Sequence, residues 1–187
     1  MVGGMLRHLK SVRQMKKDPG WIESLIEEAY NERMHLLTFL ELADPGIFMR
    51  FMVLAAQSLF FNAFFVSYLV LPKTCHRFVG YLQEEAVITF TPAIHELQAG
   101  KLHAWDDLPA PEIAVKDCRM PKGKQRMLDL LLYVRMDEAK HREVNHTLGT
   151  ARGSQSYTAL YHEGNNVGSS ASPVARKPFG LERNEVI

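Results

Sequence analysis

Cysteine is scarce in this chain: Cys75 and Cys118 are the only two in 187 residues. Two isolated thiols exclude a disulfide framework and point to a reducing compartment. Excess charge is lacking as well. Lys and Arg number 22 against 21 Asp and Glu, which leaves no basic field to attract nucleic acid. A targeting peptide is also missing at the start. Met1-Val-Gly-Gly-Met5 leads directly into helix-like sequence, without an apolar h-region or a Ser/Arg-rich presequence. The expectation is that the protein needs no address or that its true start lies upstream.

The length suits one domain with a tail and allows a substantial buried core. Met5–Lys17 is basic and amphipathic, which fits an anionic membrane surface or a solvated helix at the domain edge. Asp18-Pro19-Gly20 is a turn. Trp21–Leu42 reads as a helix, with Ile22, Leu25, Ile26, Ala29, Leu36, Leu37 and Leu40 at threes and fours. Asp44-Pro45-Gly46 ends it.

Phe51–Leu71 is long enough to span a bilayer, but Gln57, Ser58, Asn62 and Ser67 interrupt it. The preferred reading is a helix packed in a bundle with one face dipped into a membrane. Pro72 closes it. Phe78–Phe90 is a further helix candidate, with Pro92 and Gly100–Pro111 as breakers. Glu112–Arg119 reads as a short helix, and Leu128–Asn145 as part of a long one. Residues 1–149 form the domain on this reading, and 150–187, rich in Gly, Ser and Asn, an irregular or mobile tail.

The chemistry lies in a pattern that occurs twice. Glu32 and His35 stand three apart in Asn31-Glu-Arg-Met-His35, and Glu138 and His141 stand three apart in Arg135-Met-Asp-Glu-Ala-Lys-His-Arg142. At about 3.6 residues per turn, such a pair shares one helix face. A carboxylate and an imidazole aimed the same way can bind one metal ion. Two such helices supply half of a two-metal carboxylate site in a four-helix bundle, which needs one more Glu from each of two further helices. One Glu-x-x-His alone is weak, because surface helices contain it by chance.

Five blocks together resemble the alternative oxidase family: Met1–Leu9, Asn31–His35, Cys75–Ala86, Arg135–Arg142 and Val144–Thr147. Members are di-iron ubiquinol oxidases of mitochondria, with plastid plastoquinol relatives. The resemblance implies an all-α, ferritin-like four-helix bundle, incomplete at its N-terminus. It implies two iron ions, with Glu32, His35, Glu138 and His141 in ligand or ligand-supporting positions and Glu32 and Glu138 catalytic. Gln83 falls at a further ligand position. Asn31, Asp137 and His76 match polar residues that orient ligands, and Leu82, Glu85, Ala86 and Thr89 match the lining of the quinol pocket. The implied partners are ubiquinol, oxygen, a membrane surface and a second copy in a homodimer. The implied place is the matrix side of the mitochondrial inner membrane, held monotopically.

The chain departs from the family pattern in three places. The family takes one ligand Glu from a block before its MVGGM stretch, with which this chain begins. Its bridging Glu is Gln83 here, a neutral amide. Its Tyr near the irons is Phe90, and a Tyr-Trp pair is Asp117-Cys118. Four carboxylates would offset two dications, so loss of two should weaken binding. The expectation is one metal through the two Glu-x-x-His pairs. The second possibility is a truncated or degenerate relative without catalysis. His95, His103 and His162 read as solvated, and His146 as packing or capping. Cys75 is given no redox role.

Overall fold

The structure, a computed structural model, describes residues 1–150. Six helices follow in order: α1 (Val2–Gln14), α2 (Trp21–Ala43), α3 (Ile47–Val70), α4 (Pro72–Gln98), α5 (Glu112–Asp117) and α6 (Met127–Thr150). No strand occurs among the described residues. An antiparallel bridge between Pro109 and Arg126 pins the start of α6 to the loop before α5. The all-α expectation holds. The expected tail lies outside the described residues except for Thr150, which closes α6.

Heptad-like seams explain the packing. On α2 the inward stripe runs Trp21, Leu25, His35 and Thr38; on α4 it runs His76, Gly80, Gln83, Ile94 and Leu97. On α6 it runs Met127, Leu130, Val134, Glu138, His141, Asn145 and Leu148. Spacings of three and four keep each set on one face. The seams are apolar at both ends and polar between. Ile94, Leu97, Met127, Leu130, Leu131 and Val134 meet α5's Ala114 at one end; Trp21, Leu25, Val144 and Leu148 meet at the other. Burying such side chains supplies about 1.5–3 kcal/mol each, which fixes the helices that hold the polar belt.

The broadest helix pair is α4 with α6. A Cβ on Gly149 would lie 2.7 Å from Arg77 Cγ, and one on Gly80 would lie 3.0 Å from the His146 ring. Small residues at these crossings allow the close approach that brings Gln83 beside Asn145.

Two expectations are corrected. Pro92 does not break the fourth helix, which continues to Gln98. The ring is exposed, so the carbonyl that loses its partner can be hydrated, while Ile94 and Leu97 anchor the next turn. The long apolar helix does not pack within the bundle either. It begins at Ile47, and of all its residues Tyr68 alone is buried. Only its C-terminal turns dock, through Phe64, Phe65 and Tyr68 against Val2, Leu6 and Cys75.

Candidate metal centre

The two Glu-x-x-His pairs face each other across α2 and α6. The acid of each meets the imidazole of the other: His35 Nδ1 lies 3.2 Å from Glu138 Oε1, and His141 Nδ1 lies 3.1 Å from Glu32 Oε1. The imidazole rings are 6.5 Å apart. His35, Glu138 and His141 are buried, while the Glu32 side chain is 41% exposed at the rim. Ligand atoms of Glu32, Glu138 and His141 all lie within 4.8 Å of one another, a spacing that one metal ion could close. Asn31 Nδ2 donates to Asp137 Oδ2 at 3.0 Å, and the same oxygen lies 3.5 Å from His35 Nε2. Asn31 and Asp137 thereby hold the far side of His35.

The local charges follow this pairing. Burial opposes a charge on His35, but its contacts with Asp137 and Glu138 outweigh it and hold the pKa up to about 9. His141 is raised in the same way: burial works against the cation, and Glu32, Glu28 and Glu138 more than compensate. For Glu32 burial pushes upward, yet hydrogen bonds and charge from His141 bring the net shift down.

One turn further along, a second polar layer lies against the first. Asn145 is 1% exposed. Its Nδ2 donates to Glu28 Oε1 at 2.8 Å, Glu28 Oε2 at 3.0 Å, Gln83 Oε1 at 3.2 Å and the His141 carbonyl at 3.0 Å. Gln83 Nε2 donates to Glu28 Oε1 at 3.2 Å, and Gln83 also bonds the Glu32 carboxylate. Burial raises the Glu28 pKa, against the pull of His141 and the amide donors. The α-amino group of Met1 approaches the same end; burial lowers its pKa, against attraction to Glu28 and Glu32.

His76 extends the layer outward. Its Nδ1 lies 2.9 Å from Asn145 Oδ1, and its Nε2 lies 2.8 Å from the Tyr68 hydroxyl. The amide oxygen can only accept, so Nδ1 carries the proton and Tyr68 donates to Nε2. Burial lowers the His76 pKa and keeps this neutral form. A chain of hydrogen bonds thus joins α3 to the carboxylates on α2.

Glu28, Asn145 and Tyr68 are the members that motif reading misses. The first two stand one turn outside each Glu-x-x-His, four residues from Glu32 and from His141. That i, i+4 spacing was a usable signal. Of the remaining candidates, Leu82, Glu85 and Thr89 are exposed on the outer side of α4, and Ala86 is half-buried. Glu84 turns toward His146, 3.8 Å away. His95 and His103 are exposed and Cys75 is buried and free; His162 lies outside the described residues. His146 packs its ring edge-on against Tyr81.

The donor set suits a hard divalent cation: carboxylate oxygens with borderline imidazole nitrogens. Four carboxylates (Glu28, Glu32, Asp137 and Glu138) outnumber the groups here that can carry positive charge against them, His35, His141 and the Met1 α-amino group, since His76 is held neutral. A cation would relieve that excess of negative charge. Gln83 adds no charge to a second position.

Comparison with known proteins identifies the family. The sequence profile of the alternative oxidase family matches residues 1–150. A protein of Aspergillus niger named mitochondrial alternative oxidase is 63% identical over the whole chain, which covers 54% of that relative. One from Ajellomyces capsulatus with the same name is 60% identical over the whole chain, covering 53% of it. In Emericella nidulans the identity is 70% over 81% of the chain, covering 43% of the relative. The chain therefore spans about half the length of these curated relatives. With its two Glu-x-x-His helices paired across one interior, this chain belongs to the alternative oxidase family.

Proposed function

We propose that this chain is the metal-binding part of a mitochondrial quinol oxidase. It passes electrons from ubiquinol to oxygen: two quinols and one oxygen give two quinones and two waters. The observation that supports this most directly is the reciprocal contact of His35 with Glu138 and His141 with Glu32. Glu32, His35, Glu138 and His141 would hold iron, which supplies the one-electron steps and the oxygen-binding position when bound. Asn31 and Asp137 orient His35. Asn145 and Gln83 fix the carboxylate face on α2. Glu32 and Glu138 are placed to accept and return protons as electrons arrive, because each has an imidazole within hydrogen-bond distance.

The reaction would take place at a membrane surface. Ile47, Phe48, Phe51, Leu54, Leu59, Phe60, Val66 and Leu69 on α3 are all exposed, and a run of exposed apolar side chains on one helix marks an interaction surface. Leu9 and Val12 on α1 are exposed too, with Arg13, Lys16 and Lys17 beside them. This composition favours monotopic seating on an anionic leaflet, the matrix face of the inner membrane. Although α3 is long enough to cross, no Asp, Glu, Lys, Arg or His occurs in Phe51–Leu71, which fits oxidation without proton pumping. Quinol would approach along the outer face of α4, past Leu82, Glu85, Ala86 and Thr89. Part of the exposed apolar face would also serve a homodimer.

A second reading is favoured by one observation. Gln83 is buried at a position where a two-metal site needs charge, and a bundle without catalysis would tolerate that. The experiment that separates the two is iron analysis with oxygen uptake on a soluble ubiquinol analogue, for this chain and an N-terminally extended one. The oxidase reading expects iron in both, and quinol-dependent oxygen uptake in the extended form. Iron absent from both overturns it.

A further inference from the structure

We propose that Glu28 is a metal ligand of this chain and takes over, from α2, the part that Gln83 cannot play from α4. The inference rests on the metal-binding reading above and names one more of its ligands. Gln83 is buried between two carboxylates, Glu28 at 3.2 Å and Glu32. Nothing else on α4 can supply an inward anion there. Glu84 turns to His146, and Glu85 is exposed. On α2, Glu28 stands one turn from Glu32 on the same stripe, and Asn145 Nδ2 ties it to α6 by contacting both Glu28 Oε1 at 2.8 Å and the His141 carbonyl at 3.0 Å.

The partners of Glu28 single it out. Glu32 has an imidazole at 3.1 Å and Glu138 has one at 3.2 Å, whereas the hydrogen-bond donors on Glu28 are the amides of Asn145 and Gln83. Amides orient a carboxylate without neutralising it. Asn145 contacts both oxygens of Glu28 and so sets its plane, as outer partners do for metal-bound carboxylates. Gln83 could accommodate a cation by turning its amide through half a rotation, giving up the 3.2 Å bond its oxygen accepts from Asn145, which keeps its bonds to Glu28. Its oxygen would then replace the N–H groups as a neutral ligand. Glu28 would thereby return one of the two carboxylates that the site lacks, without an acid at position 83.

The test is a two-by-two comparison of Co2+ affinity on the chelator-stripped chain, by calorimetry and by the visible Co2+ spectrum. The variants are Glu28→Gln, Gln83→Glu and both together. Loss of an outer partner costs about 10–100-fold in metal affinity, so Glu28→Gln should exceed about 100-fold and change the Co2+ spectrum. In the Gln83→Glu background the same substitution should cost less than about tenfold, because position 83 then supplies the acid. Equal losses in both backgrounds, or none in the wild type, would overturn the assignment while leaving the metal centre intact. No Co2+ binding by the wild type or by Gln83→Glu overturns both readings. Should Glu28→Gln fail to fold, Gln83→Glu alone decides. A gain under about tenfold supports Glu28, and any larger gain contradicts it.

Discussion

Helices α3 and α6 are the same length, 24 residues each, and their environments are inverted. The apolar one is exposed: α3 buries Tyr68 alone. The polar one is inside: α6 buries thirteen residues, among them Asp137, Glu138, His141 and Asn145. Burying four such groups is costly unless each is partnered, and here each is. What decides position in this molecule is partnership across a seam. Apolar area decides it only where no such seam exists. The bundle therefore keeps its polar belt in the interior, between two apolar clusters, and leaves the side chains of α3 outside.

The sharpest way to break this contrast is to remove the hub. Asn145→Leu keeps the branched shape of Asn145, with larger methyl groups, but leaves Glu28 with only Gln83 as donor and strips His76 Nδ1 of its acceptor. Two buried groups lose partners, at about 1–3 kcal/mol each and more for a charged one. The expected loss is about 4 kcal/mol, measured as a lower urea midpoint at constant slope. A loss under about 1 kcal/mol would mean that the polar belt does not hold the helices. Next in size is Leu130→Ala at the apolar end, where the side chain is 1% exposed. The cavity should cost about 2–5 kcal/mol without changing Co2+ affinity, because that cluster lies outside the polar belt.

The contrast also has a pH signature. In the cation-free chain His35 has a pKa of about 9, above its ordinary value near 6.5. A raised folded-state pKa contributes stability that is fully present below about 6.5 and is lost as pH rises through about 9. At about 1.4 kcal/mol per unit, the contribution is up to about 3 kcal/mol. Urea unfolding between pH 6 and pH 10 should show the decline in chelator-treated protein, and His35→Gln should reduce it to the part that the raised His141 contributes. A flat wild-type profile would show that His35 is neutral beside Glu138.

Much of this was legible beforehand. Trp21–Leu42 reads as a helix because apolar residues recur at threes and fours, and the observed helix ends one residue later. The Glu-x-x-His spacing puts each acid beside its imidazole by helix geometry alone. The environment of Phe51–Leu71 was not legible, since composition gives its polarity but not which helices dock on it. Pro92 misled because a proline reads as a breaker until the seam on either side, Phe90 and Ile94, is known to be anchored. Glu28 and Asn145 escaped for another reason. Each is common on helices, and only the crossing of α2, α4 and α6 at the Gly80 level makes them neighbours.

The smallest expected effect on folding falls on α3. Phe51 and Leu54 are 65% and 62% exposed, so Phe51→Ser with Leu54→Ser should shift unfolding free energy by no more than about 0.5 kcal/mol per position. Their role is expected elsewhere. Each side chain entering hydrocarbon gains about 1.5–3 kcal/mol, so losing both should weaken cosedimentation with anionic vesicles by at least about 100-fold. The opposite pattern, a large fall in stability with vesicle binding unchanged, would mean that this face is covered by protein. In that case the inversion between α3 and α6 would reflect an unfilled interface, and the apolar helix would be waiting for a partner chain instead of a lipid.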